Sequence, residues 1–147
     1  MIQKVEISWR HREQEGVIPV EVVYSRRRTI GLEIEKDPEL EKLYRKKAKM
    51  QLENRCAYFA KRMAVDYNRI AVRAAKTRWG SCSAQGNLNF HWKLVLMPPE
   101  ILDYVVVHEL AHRKEMNHSQ RFWAEVERIL PDYKARRKWL KEFGSQV

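Results

Sequence analysis

Val105-Val106-Val107-His108-Glu109-Leu110-Ala111-His112-Arg113-Lys114-Glu115-Met116-Asn117-His118-Ser119 is the stretch whose reading decides the fold. Pro98-Pro99 closes what precedes it, and Pro99 opens a helix predicted from Glu100 to about Glu115, with Ile101, Tyr104, Val105 and His108 on a shared face. His108-Glu109-Leu110-Ala111-His112 is an H-E-x-x-H pattern within that helix. Side chains four apart lie one turn from each other on one face, so both imidazoles reach a single metal ion, and Glu109 reaches a water bound to it.

His118 is the expected third ligand, because Glu115 to Asn117 reverse the chain before Ser119, a plausible N-cap, starts the next helix. Glu115 competes for that role, but it stands only three residues from His112 and is expected to support the turn. Three histidines with one open position make a catalytic arrangement, whereas structural zinc sites close with a fourth ligand and favour cysteine. Cys56 and Cys82 lack C-x-x-C spacing and read as reduced, mostly buried thiols. One zinc ion at such a site lowers the pKa of its water from about 15.7 toward about 7, and Glu109 accepts the water proton and hands it to a leaving group. Manganese, iron or nickel also suit three histidines.

Upstream, Leu88, Phe90, Trp92, Leu94 and Leu96 alternate with polar residues, which predicts a strand from Asn87 to Leu96. Thr77 to Gly86 reads as a loop or bulged turn, and Ile70, Val72 and Ala74 as another strand. Pro38 to about Tyr67 is free of further Gly and Pro and reads as one long amphipathic helix, with Leu40, Leu43, Tyr44 and Ala48 facing the core. Before it, three period-two patterns predict strands: Val5, Ile7 and Trp9; Val20, Val22 and Tyr24; and Ile30, Leu32 and Ile34, with Arg26-Arg27-Arg28 as a turn between the last two. Downstream, one helix runs from Ser119 to Leu130, stopped by Pro131, and a last one from Asp132 to Phe143, stopped by Gly144. The class is α+β, and residues 1–147 are expected to form a single domain.

With 44% hydrophobic and 33% charged residues the composition is globular. Lys and Arg number 29 against 19 Asp and Glu, a net charge of +10 that attracts nucleotides or nucleic acid; the clusters lie far apart in sequence, so a solvated basic surface explains them equally well. The N-terminus has no apolar run of signal-peptide length and no span reaches membrane length, so a cytoplasmic location and no membrane partner are expected. Oligomeric state is not written in the sequence.

Arg78-Trp79-Gly80-Ser81-Cys82-Ser83, the strand from Asn87, Pro98-Pro99, Tyr104 to His112, Asn117-His118-Ser119 and Phe122-Trp123, in that order, resemble the YgjP-like metallopeptidases, which are related to the SprT-like zinc peptidases. The resemblance covers about residues 70 to 143. It implies a zincin-like fold, a twisted and mostly antiparallel sheet packed on a long helix and the active-site helix, with zinc on His108, His112 and His118. Zincins bind extended peptides beside an edge strand, and Asn87 to Lys93 occupies the matching place, so the polar face with Asn89 and His91 would line the cleft. Glu115 stands where metzincins have Gly, and no Met-turn is recognisable, so that subgroup is not supported.

Arg78 and the Ser81 hydroxyl are candidates for meeting substrate or orienting a ligand histidine, while Trp79 reads as a core anchor and Gly80 as a bend. Phe122 and Trp123 share a packing stripe with Val126 and Leu130, and Tyr133 is a candidate for assisting an oxyanion by residue type alone. The expected activity is zinc-dependent peptide-bond hydrolysis on a peptide or protein substrate. The competing readings are hydrolysis of a nucleotide phosphoanhydride, which lacks a Walker-type glycine loop here, and a nucleic-acid-associated SprT-like protease.

Overall fold

Asp37 and Pro38 start the longest helix for local reasons. The Asp37 carboxylate accepts from the backbone N–H of Glu39 (3.1 Å) and Leu40 (3.3 Å), and Pro38 occupies the first turn, where its missing N–H is no loss. The structure, a computed structural model, describes residues 2–6, 21–25, 30–75 and 77–147. Within these, β1 (Ile2–Glu6) pairs antiparallel with β2 (Glu21–Ser25). Then follow α1 (Ile30–Glu35), α2 (Pro38–Met63), β3 (Arg69–Arg73), β4 (Gly80–Cys82), β5 (Asn87–His91), a 3-10 turn (Trp92–Leu96), α3 (Pro99–Ala111), α4 (Gln120–Ile129), α5 (Tyr133–Phe143) and a closing 3-10 turn (Gly144–Gln146).

Several expectations are corrected. Ile30 to Ile34 form the helix α1, not a strand: Ile34 is buried while Leu32, which period two would place on the same face, is 46% exposed. Five residues with apolar positions at one, three and five fit a short helix as well as a strand. Here the chain must turn at once into the cap at Asp37, whose N–H bonds to the Ile34 carbonyl. Ile7, Trp9, Val20 and the Arg26-Arg27-Arg28 turn lie outside the described residues.

Helix α2 ends at Met63 rather than Tyr67, because Ala64 takes a left-handed conformation (φ 55°) and the Val65 N–H closes on the Ala60 carbonyl. Its core stripe is Ala48, Leu52, Cys56, Phe59, Ala60 and Met63, whereas Leu43 is 48% exposed. A bidentate pair joins it to α3: Arg55 donates to both Asp103 oxygens at 2.7 and 2.8 Å.

The second sheet has the order β3-β5-β4, with β5 parallel to β3 and antiparallel to β4. The segment expected to be a loop therefore contains β4, joined to β5 by a turn in which Gly86 has φ +85° and donates to the Ser83 carbonyl. Strand β5 ends at His91, whose Nδ1 accepts from the Lys93 N–H and caps the 3-10 turn. Trp92 and Leu94 stay buried through that turn, so their alternation records burial and not strand. More consequentially, β5 lies in the middle of this sheet, and among its strands β4 holds the edge beside α3.

Helix α3 packs against α2, β4, α4 and α5 and is buried on nearly every side, not along one face. It ends at Ala111, with His112 as its C-cap. Buried Arg136 on α5 donates to Asp132 (2.9 Å) and to the Glu100 carbonyl (3.3 Å), which fixes the start of α3.

Candidate active site

Helix α3 presents His108 and Glu109 in its last turn and His112 at its cap. The chain reverses over 112–118, and the Ser119 hydroxyl accepts from the Phe122 N–H (3.3 Å), which starts α4 and leaves His118 opposite His108. The ring nitrogens His108 Nε2 and His118 Nε2 are 3.2 Å apart, and one donor nitrogen from each of His108, His112 and His118 lies within 4.8 Å of the others. For ligand bonds of about 2.0–2.1 Å the edge of a tetrahedron is roughly 3.3–3.4 Å, so the closest pair already has the separation that zinc requires.

Hydrogen bonds decide which nitrogen faces inward. His112 Nδ1 lies 3.0 Å from the Glu115 carbonyl, an acceptor only, so Nδ1 carries the proton and Nε2 has the free lone pair. The Tyr104 hydroxyl stands 3.4 Å from His108 Nδ1 and, able to accept as well as donate, can accept a hydrogen bond from Nδ1–H when Nε2 turns to a metal. Glu115 thus supports the turn through its backbone. Burial, then neighbouring His112 and His118, lower the His108 pKa to about 3, and burial lowers that of His112. Both rings are neutral near pH 7, as metal ligation requires. The fit to a metal is therefore good: three imidazoles converge, two have their outer nitrogens engaged, and Phe122 packs 4.9, 4.5 and 4.9 Å from the rings of His108, His112 and His118.

Glu109 is 6% exposed, and burial pushes its pKa up to about 7 against the lowering influence of Arg78. Its neighbour across the cleft is Gly80: a Cβ there would lie 3.0 Å from Glu109 Oε2 and 3.2 Å from Val105 Cγ1. Gly80 is a strand residue opposite Phe90, not a bend, and its absent side chain lets the β4 edge approach the carboxylate. Trp79 accepts from the His91 N–H and Ser83 donates to Asn87, so the antiparallel alternation turns the N–H and C=O groups of Gly80 and Cys82 outward. That open edge borders a cavity of about 280 Å³ lined by the three histidines, Glu109, Arg78 and Ser81 among others.

The four candidate substrate residues separate. Arg78 and Ser81 line this cavity. Asn89 donates to the Ser81 hydroxyl (3.3 Å) but lines a neighbouring cavity. His91 packs 5.0 Å from the Trp79 ring and lines cavities that hold none of the three histidines. Tyr133 stacks on Trp123 at 5.4 Å and lines neither cavity beside Glu109. Sequence reasoning missed Tyr104 as a partner of His108, although its position one turn before that ligand is a visible signal; it also missed the role of Gly80, for which no sequence signal exists.

The fold is that of metallopeptidases. It is similar to the metallopeptidase zymogen abylysin of Pyrococcus abyssi (TM-score 0.55, 24% identity, covering 61% of this chain and 93% of that one). It is also similar to the zymogen jannalysin of Methanocaldococcus jannaschii (TM-score 0.54, 20% identity, 65% and 97%). Curated proteins gave no match. The description "YgjP-like, metallopeptidase domain" matches residues 5–143, and the chain belongs to that family. It is a metal-dependent peptide hydrolase. Among the described residues no helix is long and apolar enough to cross a membrane.

Proposed function

We propose that the chain is a single-domain zinc endopeptidase in which His108, His112 and His118 hold the ion and Glu109 is the general base and acid. The observation that carries this reading is a buried carboxylate set beside three convergent imidazoles at the open edge of β4. Zinc, when bound, supplies a Lewis acid that makes water acidic near neutral pH and polarises the carbonyl under attack. Glu109 holds the proton at a carboxylate oxygen and passes it to the leaving amine. The outward N–H and C=O groups of Gly80 and Cys82 align an extended peptide as an added strand. Arg78 and Ser81 contact that peptide, and Asn89 acts through its bond to Ser81. The two cysteines are unbridged, which fits a reducing compartment such as the cytoplasm.

Metal removal tests the reading. Peptide cleavage should vanish on dialysis against a chelator and return with one equivalent of zinc per chain; cleavage indifferent to the chelator would overturn it.

A further inference from the structure

The basic residues of α5 divide into two sets. Arg136 is buried on Asp132 and the Glu100 carbonyl, and Lys138 reaches Glu142 at 3.9 Å. Arg137 and Lys141, one turn apart, instead line a cavity of about 400 Å³ with Leu140 and Val105, and Arg78 lines it from the β4 side. This cavity opens beside His108 and Glu109. Among the described residues none of Arg78, Arg137 and Lys141 forms an ion pair. Arg137 is nonetheless held in place: its guanidinium lies 4.8 Å from the centre of the Trp123 ring, and Trp123 stacks on Tyr133.

Like charges four apart on a helix destabilise it, so the fold gains nothing from placing Arg137 and Lys141 together. Arg78 adds a third positive charge across the same opening. Glu109, the one carboxylate among the described residues that line the cavity, belongs to the site already described. A guanidinium held beside apolar walls that include Trp79, Tyr104 and Leu140 matches a ligand with an apolar stem and a carboxylate head.

We propose that this cavity is a substrate subsite for a carboxylate-bearing residue, either an aspartyl or glutamyl side chain or a free C-terminus, recognised by Arg137 and Lys141. The proposal rests on the peptidase reading and names the substrate class of that site.

The test uses zinc-loaded full chain and quenched fluorescent peptides that differ only by Glu, Gln or Lys at each position around the cleaved bond, each as a C-terminal acid and an amide. Wild type should prefer Glu over Gln at one position by about tenfold in kcat/KM, mainly through KM, with the preference shrinking as salt rises. A preference confined to the free acids would identify the C-terminal carboxylate as the recognised group. Arg137→Gln/Lys141→Gln should bring the ratio close to one with zinc content and far-UV circular dichroism unchanged and only a small drop in unfolding temperature from the lost Trp123 contact, while Lys138→Gln on the same helix should keep it. Anisotropy of the same peptides bound to Glu109→Gln separates the two claims. Carboxylate-selective binding lost in the double variant, with no peptide cleaved by wild type, would overturn the peptidase reading alone. Cleavage without carboxylate preference, or with a preference that survives the double variant, would overturn the subsite alone. Absence of both binding and cleavage, or Arg137-dependent hydrolysis of nucleoside triphosphates in their place, would overturn both.

Discussion

Gly80 on the edge strand and Glu109 on the buried helix approach so closely that one added carbon at Gly80 would stand 3.0 Å from the Glu109 carboxylate oxygen. Edge strand and proposed general base are thereby held in a fixed relation, with no side chain between them.

Gly80→Ala should therefore act on chemistry more than on the fold. The new methyl needs Glu109 or Val105 to give by a few tenths of an ångström, short of the ~1 Å misplacement of a catalytic group that costs on the order of 10²-fold. Single-turnover peptide cleavage should fall by about three- to tenfold, less than that extent, while bound zinc stays at one per chain. Loss of zinc in step with activity would contradict it.

Tyr104→Phe removes the hydroxyl 3.4 Å from His108 Nδ1. Partners of ligand histidines contribute about 10–100-fold in metal affinity, and the length of this contact places the expected loss near the lower end. Competition with a chromogenic chelator measures it, and an unchanged affinity would show that Tyr104 does not orient the ring.

Ala64 is the one described non-glycine residue at positive φ, and it ends α2 where glycine is favoured. Ala64→Gly should stabilise the protein by about 0.5–1 kcal/mol, read as a higher urea midpoint with an unchanged slope.

Arg55→Met should be severe and dependent on pH. Asp103 is 1% exposed, and burial raises its pKa above the usual carboxylate range although Arg55 opposes the shift. Without Arg55 the shift grows. A carboxyl group with a raised folded-state pKa contributes its full stability below its unfolded value of about 3.9 and loses it as pH rises through the folded value. The variant should trail wild type by about 3 kcal/mol near pH 7, and the gap should narrow toward pH 4. A gap independent of pH would contradict this account.

Much of this architecture was readable because it is written locally. Pro38, Pro99 and Ser119 mark helix starts through their own backbone and hydroxyl chemistry, and the spacing of His108, His112 and His118 predicts their convergence. What escaped reading depends on which pairing the chain adopts, near or far in sequence. Ile34 becomes helical because the chain turns into Asp37, and β4 exists because β5 pairs with it. The exchange of centre and edge between β5 and β4 follows from the parallel pairing of β3 with β5, which no alternation reveals.

The most direct test of the central claim is turnover of one peptide substrate by wild type and Glu109→Gln, with zinc measured in the same samples. Both should carry one zinc per chain, and the variant should lose about 10²–10⁴-fold in kcat. Cleavage by Glu109→Gln at the wild-type rate with zinc bound would contradict it.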